Sequence, residues 1–264
     1  MMKKIAFALA LLLPMAAAAQ TDFEGVRLSV GADWKITKGL HLNVEEEARI
    51  GGAFQSLNRL QTTVGMEYKP LRFLKVGVGY SLINPYDAEE HSFKSARHRV
   101  FVDATGHFTW SNFRFSLKER AQYTHRTGTF NVYQNTPDAF AIKSRLGVEY
   151  QGWRVFEPGL FLEVRTQLNG PWGQTSGSIQ AKNDGTTYYA YTPNGYSHVY
   201  NDRYRLILRT NINLSRHHIL KPYASLDFYS PYVIDTNSEG TRLFSAAYAD
   251  QLLVNVGVSY TYKF

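Results

Sequence analysis

The chain ends in VNVGVSYTYKF, residues 254–264, and this stretch decides the fold class. Apolar residues occupy every second position from Val254 to Phe264, and small or polar residues fill the positions between them. Such alternation is typical of a β-strand with one apolar and one polar face. A strand that runs to the last residue leaves an unpaired sheet edge, so we expect it to pair with the first strand and close a barrel.

The same alternation recurs from residue 24 onward. GVRLSVGADWKI (25–36) and LHLNVEEEARI (40–50) form the first predicted hairpin, around a tight turn. About eleven such segments follow one another with almost no helical pattern between them. Each is close to the roughly 9 to 11 residues that a tilted membrane-spanning strand needs. The sequence therefore predicts an all-β fold.

Short and long connections alternate between these segments. Tight turns occur near residues 37, 70, 110, 152 and 216, and longer polar links near 51–58, 83–95, 126–137, 169–200 and 231–249. Outer-membrane barrels have short periplasmic turns and long external loops. An antiparallel barrel that begins and ends in the periplasm has an even number of strands. We therefore predict a transmembrane antiparallel up-and-down β-barrel of about 10 to 12 strands, with twelve preferred.

The first twenty residues have the three-part composition of a secretory signal peptide. Two lysines precede the apolar run Ile5–Leu13, and an alanine stretch ends at Ala19. The apolar run is too short to cross about 30 Å of hydrocarbon. We predict a signal peptide over 1–19, cleavage near Ala19, and a barrel over 20–264 in the outer membrane of a Gram-negative cell.

The composition agrees with a barrel that faces lipid. The 264 residues include 18 Tyr and 16 Phe, which suit a lipid–water interface, and no Cys, so no disulfide can form. The net charge of +7 is modest and forms no long basic run, which argues against nucleic-acid binding. A soluble β-sandwich or an eight-stranded barrel would alternate in the same way. The turn asymmetry, the signal peptide, the terminal strand and the aromatic residues near strand ends favour the membrane barrel.

The polar faces of the strands would put many charged side chains inside a narrow barrel. An unpaired buried charge costs several kcal/mol, so these charges are expected to pair. The predicted lumen charge network is Glu45, Glu47, Arg49, Arg59, Glu67, Arg99, Asp103, Lys118, Arg120, Arg145, Glu149, Glu163, Arg165, Arg205 and Arg209. Such a network would plug and stiffen the lumen. Because basic residues outnumber acidic ones, the alternative is a basic strip that attracts a small anionic solute.

A hydrolase site at the outer rim is a further alternative. It would need a hydroxyl activated by a histidine. The candidates are scattered in or near the long loops: His91, Ser92, His125, Ser197 and His198. We assign no catalytic residue, no metal site and no cofactor. Asn183-Asp184-Gly185 lacks the later acidic ligands of a calcium loop, and His217 and His218 would point to opposite faces.

The link 169–200 is rich in tyrosine, glycine and small polar residues. Rigid aromatic and small polar residues together are typical of an adaptable recognition surface. Tyr188, Tyr189, Tyr191 and Tyr196 are the predicted recognition residues. A lid that folds over and packs on itself is the alternative.

Five stretches together resemble a known family. They are EEEARI (45–50), VGMEYKPLRFLKVGVGYSL (64–82), FSLKERAQYT (115–124), KSRLGVEY (143–150) and VGVSYTYKF (256–264). Their order and spacing resemble the Bacteroidota family of outer-membrane barrels known as domain of unknown function 2490. The resemblance implies a β-barrel of unknown activity and brings no catalytic residues.

These observations lead to three functional hypotheses. The first is a binding or structural envelope protein with an ion-paired lumen, the second a narrow pore for small solutes, with anions as one option, and the third a lipid or glycan hydrolase. The expected partners are outer-membrane lipid, lipopolysaccharide and the barrel assembly machinery, the last reading Tyr260, Tyr262 and Phe264 as its signal.

Overall fold

The computed structural model describes residues 22–51, 56–181 and 187–264. The predicted signal peptide and the Asn183-Asp184-Gly185 turn lie outside these ranges. In chain order the strands are β1 (Asp22–Thr37), β2 (Leu40–Gly51), β3 (Ser56–Leu71), β4 (Leu74–Asp87), β5 (Ser92–Phe93), β6 (Arg97–Trp110), β7 (Phe113–Arg126), β8 (Asp138–Tyr150), β9 (Phe156–Gly170), β10 (Gly173–Ala181), β11 (Thr187–Pro193), β12 (His198–Asn213), β13 (His218–Tyr229), β14 (Tyr232–Thr236), β15 (Arg242–Tyr248) and β16 (Gln251–Lys263). No helix in the described part of the chain is long and apolar enough to cross a membrane.

Eleven of these strands form the wall of a closed barrel, in the order β1-β2-β3-β4-β6-β7-β8-β9-β12-β13-β16 and back to β1. The predicted all-β barrel of ten to twelve strands is confirmed, and the preferred count of twelve is wrong, because the wall has eleven strands. The two-residue β5 pairs only with the end of β4.

The barrel closes through one parallel pair, and this differs from the antiparallel scheme. The terminal strand β16 pairs with β13 on one side and with β1 on the other, where the register runs from Val26 opposite Val256 to Asp33 opposite Lys263. After ten consecutive antiparallel pairs, the eleventh strand runs in the same direction as the first. The pair that closes the barrel must therefore be parallel. The expected even number assumed antiparallel pairing throughout, and that assumption fails only at this pair.

The outer face of the wall is apolar. Large side chains project outward with between 37% and 59% of their surface exposed: Leu28, Val30, Val64, Met66, Val76, Val78, Val100, Val102, Leu117, Leu146, Leu160, Leu162, Leu206 and Val258. An apolar band of this extent on a soluble surface would be an aggregation liability.

Aromatic rings border this band. At the end with the tight turns, Trp34 stacks on Phe264 at 5.0 Å between centroids, and Phe108 stacks on Phe115 at the same distance. Toward the long connections, Tyr123 packs on Phe140 at 4.9 Å and Tyr204 on Phe228 at 6.4 Å. Rings therefore lie toward both ends of the barrel, as the sequence predicts.

A second, four-stranded sheet lies at the long-connection end, in the order β10-β11-β15-β14. We call it the cap sheet. Its small core is formed by Tyr191, Ile234 and Leu243, with Tyr232 packed against it. The cap sheet explains why the long links of the sequence contain alternating residues of their own.

The connection between β7 and β8, residues 127–137, docks against the cap sheet. The side-chain amides of Asn131 and Gln134 donate to the Thr236 carbonyl oxygen at 3.4 and 3.0 Å, and the Tyr196 hydroxyl donates to the Val132 carbonyl at 2.8 Å. These contacts join three long connections at one end of the barrel.

Two strand glycines make room for aromatic rings inside the barrel. A Cβ atom on Gly79 would lie 2.3 Å from the Phe101 ring, and one on Gly147 would lie 2.3 Å from the Phe161 ring. Arg120 lies over the Phe101 ring at 3.9 Å, and Arg209 over the Phe161 ring at 4.3 Å. The glycines thus let the interior hold rings on which arginines pack.

Candidate functional site: the charged lumen

One circumferential row of inward side chains contains charges of both signs. Across β7, β8, β9, β12 and β13 the directly opposed residues are Lys118, Arg145, Glu163, Arg205 and Asp227. We call these five residues the paired row. Arg205 donates to Asp227 at 2.7 and 2.5 Å, Arg145 forms a short ion pair with Glu163, and Arg205 also lies 3.7 Å from Glu163. Opposite charges directly across neighbouring strands stabilise the sheet.

The paired row continues across the barrel seam. Asp227 is fully buried, and the Asn255 side-chain amide on β16 lies 3.5 Å from its carboxylate. Arg27 on β1 donates to Asn255 at 3.2 Å and to Glu24 at 3.3 Å. One chain of hydrogen bonds and ion pairs therefore runs over six neighbouring strands, β1-β16-β13-β12-β9-β8.

The next inward row toward the long connections has four consecutive cations, next to Asp103 on β6, which is directly opposite Arg120. On β7, β8, β9 and β12 the directly opposed residues are Arg120, Lys143, Arg165 and Arg203. We call these four residues the cationic row. Arg120 bonds Asp103 at 2.6 Å and Arg165 bonds Asp202 at 2.5 Å, while Arg203 reaches Asp227 only at 3.8 Å. Lys143 has no ion-paired carboxylate among the described residues.

Like charges also face each other on the opposite part of the wall. Arg49 stands between Arg27 and Arg59 on β1, β2 and β3, and Arg97 is directly opposite Arg126 on β6 and β7. Glu47 and Glu24 neutralise Arg49 and Arg27. Over the described residues no carboxylate forms an ion pair with Arg59, Arg97, Arg99 or Arg126. Like charges directly opposite each other destabilise a sheet unless something neutralises them.

Two cavities occupy the lumen. The one on the tight-turn side has a volume of about 780 Å³, and the one on the long-connection side about 500 Å³. Arg49, Arg99 and Lys143 line both cavities, so these three side chains lie at their boundary. Residues 134–136 and Tyr232 to Ile234 of the cap sheet line the second cavity. Water-sized space therefore lies on each side of a charged layer.

Strand bulges bring two carboxylates into the lumen that simple alternation would not place there. The register between β12 and β9 shifts between Asn201 and Arg203, so Asp202 is an extra residue that meets Arg165. A shift between Phe23 and Gly25 has the same effect for Glu24. A bulge re-aims a side chain in this way. Strand alternation in the sequence carries no signal of either shift.

The structure brings most of the predicted network into ion pairs. Glu67 bonds Lys75 at 2.9 Å, Arg209 bonds Glu149 at 3.0 Å, and Lys118 joins Arg120 on Asp103 at 3.0 Å. Among the predicted members Glu45, Arg59 and Arg99 have no ion-paired partner in the described ranges. The sequence does not predict that Asp202 faces the lumen. The alternation does place Lys75, Lys143 and Asp227 on the inward polar faces, although the predicted network does not include them. Asp202 and Asp227 are the most buried acids of the lumen.

The rim histidines do not form a hydrolase-like arrangement. His125 Nδ1 lies 2.7 Å from the Asp138 carboxylate, which also accepts from Tyr123 at 2.6 Å. His198 lies in a ring cluster with Trp172, Tyr200 and Tyr232 instead. Within the described ranges no serine hydroxyl bonds a histidine ring. Likewise, no cluster of three or more potential metal ligands occurs there.

Two titrating groups at the long-connection end of the barrel, His198 and Tyr191, lie outside the apolar band. Burial among the rings lowers the pKa of the His198 imidazole. Burial raises the pKa of Tyr191, and proximity to the Tyr232 hydroxyl adds to the effect. These shifts favour the neutral forms of both side chains.

The tyrosines predicted as recognition residues have different surroundings. Tyr191 is 7% exposed in the core of the cap sheet, which corrects the expectation that it is a surface residue. Tyr189 and Tyr196 are 38% and 37% exposed. Tyr188 lies under Arg242 at 4.8 Å. The 169–200 link is thus largely a hairpin, β10–β11, packed in a sheet.

The predicted assembly signal lies at the tight-turn end. Phe264 is 60% exposed, packs on Tyr262 at 4.7 Å, and its backbone NH donates to the Asp33 carbonyl at 2.9 Å. The Tyr260 hydroxyl and His218 Nδ1 share a hydrogen bond of 2.6 Å. These three aromatic residues share the outward face of β16.

Two carboxylates point outward from the apolar band. Glu46 accepts a hydrogen bond from Thr62 at 2.6 Å, and Glu119 accepts one from Ser144 at 2.7 Å. Glu46 lies six positions beyond Leu40, where β2 begins, and Glu119 six positions beyond Phe113, where β7 begins, so both have a similar height on the wall. The sequence analysis placed neither residue in a site.

The fold and the lumen define a class: a closed β-barrel with an apolar outer face and a charged interior. Residues 24–262 match the model of the family described as Protein of unknown function (DUF2490), and the chain belongs to this family. The search among curated proteins found no match.

Among solved structures, the outer-membrane expressed OmpT of Vibrio cholerae is similar, with 9% identity and a TM-score of 0.34. The match covers 84% of this chain and 64% of that one. This likeness is too weak to bear on fold or function.

Proposed function

We propose that the protein is an outer-membrane β-barrel that acts as a binding or structural component of the envelope, with an ion-paired lumen. The apolar outer face with its bordering rings supports insertion in a bilayer, where only helices and closed barrels satisfy all backbone groups. The tight turns would face the periplasm and the cap sheet the exterior. The predicted signal peptide would direct export.

The observation that carries the lumen part of the proposal is the chain of pairs across six strands. It runs from Glu24 through Asp227 and Arg205 to Arg145, and both carboxylates of the paired row are less than 5% exposed. Charges bonded from both sides hold their side chains in place across the barrel interior. A lumen crossed by such a layer resists free diffusion and stiffens the wall.

Cell fractionation and bilayer recording test the two parts separately. The mature protein should be recovered with the outer membrane and should migrate differently on a gel before and after boiling. Recovery in the soluble periplasmic fraction without detergent would contradict the membrane assignment. In planar bilayers the wild-type protein should give no steady conductance.

A pair of variants shows whether the paired row is the barrier. Replacing both Glu163 and Arg205 with alanine should open a conducting path. Replacing both Glu67 and Lys75, a more exposed pair with 33% and 26% of their side chains accessible, is the matched control and should not. Equal conductance in both double variants would mean that the paired row does not limit passage.

A narrow pore for small anions is the second candidate, and the cationic row favours it. Steady wild-type conductance with a reversal potential that follows the chloride gradient would replace the first proposal by this one. The hydrolase hypothesis has no such observation in its favour.

A further inference from the structure

We infer that the long-connection half of the lumen is a binding site for a small multivalent oxyanion, bridged by Lys143, Arg99 and the neighbouring unpaired arginines. This inference deepens the proposed function, since it names the class of ligand that the lumen would bind. It rests on the contrast between the two adjacent rows and on the cavity beside them.

The paired row and the cationic row are neighbours on the same inward face of the wall. They differ mainly in which residues they contain. Each strand contributes its cationic-row residue two positions from its paired-row residue, on the same inward face: Lys143 beside Arg145, and Arg203 beside Arg205. The paired row shows that carboxylates fit at this level of the barrel. One pleat away, Arg120 and Arg165 bond Asp103 and Asp202, and Arg203 lies 3.8 Å from Asp227. The positive charge of this row that no described carboxylate neutralises is therefore that of Lys143.

The unpaired cations gather at one cavity. Arg59, Arg97, Arg99, Arg126 and Lys143 all line the cavity of about 500 Å³ and have no ion-paired carboxylate within the described ranges. Some of their bonds go to neutral groups, such as Arg99 to the Thr124 hydroxyl at 3.0 Å and Arg126 to Asn135 at 3.1 Å. The buried Nε atom of Arg59 has no hydrogen-bond partner. These donors remain available to a ligand.

Charge and size together specify the ligand class. Guanidinium groups match the oxygens of phosphates and carboxylates in fork geometry. Five uncompensated cations favour an anion with several negative charges over a monovalent one, and the cavity volume suits a small molecule. The five other cations of the cavity have carboxylate partners and would only orient it: Arg27, Arg49, Arg165, Arg203 and Arg205.

Calorimetric titration of the folded full-length barrel in detergent with inorganic pyrophosphate tests the site. We expect saturable binding at one equivalent, and citrate should compete. Lys143→Met should weaken it by about tenfold or more, the factor that one charge-assisted contact supplies. Arg99→Gln should weaken it similarly and serves as the second variant if Lys143→Met fails to fold.

Lys118→Met is the matched control, because Lys118 is also an inward lysine but belongs to the paired row and bonds Asp103. It should change pyrophosphate binding by less than about twofold, since it loses only a distant charge. The ligand-free proteins give a second readout: Lys143→Met should raise the thermal midpoint at low salt, and Lys118→Met should not.

The site is refuted if sodium chloride at equal ionic strength reproduces the effect of pyrophosphate, or if Lys118→Met weakens binding as much as Lys143→Met. A lack of saturable binding to a barrel that passes the boiling test also overturns it. Membrane insertion is measured by fractionation alone, so failure of the site and failure of the membrane assignment are distinguishable.

Discussion

Replacing Asp227 with asparagine should destabilise the barrel more than any comparable charge removal in the lumen. Asp227 has 0% of its surface exposed and accepts two hydrogen bonds from Arg205, at 2.7 and 2.5 Å. Removing one partner of a buried pair costs about 3–5 kcal/mol, because the other charge remains buried without compensation. Glu163 lies 3.7 Å from Arg205 and compensates in part, so we expect about 3 kcal/mol.

This loss corresponds to a large thermal shift. In a chain of this length 1 kcal/mol moves the midpoint by about 2–4 °C, so Asp227→Asn should lower it by roughly 6–12 °C. The assay is the temperature at which the fast-migrating folded form disappears on a gel, in one defined detergent. Glu67→Gln removes a carboxylate from a partly exposed pair, worth about 0–1 kcal/mol, and should shift the midpoint by less than about 4 °C.

A double variant distinguishes the effect of the two charges from the effect of the side-chain volume of Asp227 and Arg205. Asp227→Leu with Arg205→Met removes both charges and keeps similar volume, so it should recover most of the loss. If Asp227→Asn shifts the midpoint no more than Glu67→Gln does, Asp227 does not anchor the network and the argument for the paired row fails.

Three further perturbations test other parts of the molecule. Deleting Phe264 should reduce the amount of assembled, heat-modifiable barrel more than the amount exported, because the ring stacks on Trp34 at the closing seam; normal assembly would contradict this. In membranes the apolar reagent dicyclohexylcarbodiimide should modify Glu46 and Glu119, which mass spectrometry can map, because the reagent concentrates in hydrocarbon; labelling of lumen carboxylates alone would contradict the assigned outer face. The pKa of His198 is lowered on folding, so the folded cap binds fewer protons and should lose stability as the pH falls below about 6.5. Limited proteolysis of the cap should increase in that range in the wild type and not in His198→Gln.

The sequence predicts the wall of the barrel well because alternation reports directly on which face of a strand each residue occupies. The strand from Phe113 to Arg126 illustrates this, since its inward and outward residues agree with the alternation throughout. It also predicts that the inward charges pair, and most of the predicted network does.

What the sequence does not predict depends on register and on direction. Asp202 enters the lumen only because a bulge adds one residue to β12, and alternation across that point assigns residues on one side to the wrong face. The parallel closing pair has no local signature, because parallel and antiparallel strands alternate alike. The cap sheet has the amino-acid composition of loops. Tyr191 is buried because β11 pairs with β15 and contributes to the small core of the sheet, and this long-range pairing is not visible in the sequence.

Charge pairing accounts for the paired row and for most of the cationic row, but not for Lys143. A carboxylate in place of Lys143 would lie directly opposite Arg120 and Arg165 on its two neighbouring strands, so stability alone would favour a carboxylate there. The position instead carries a third positive charge between two arginines. Groups that a fold retains at a cost to its stability are typical of places where function constrains the sequence. Lys143 is therefore the cation of this row that charge pairing does not explain and that the proposed anion site does.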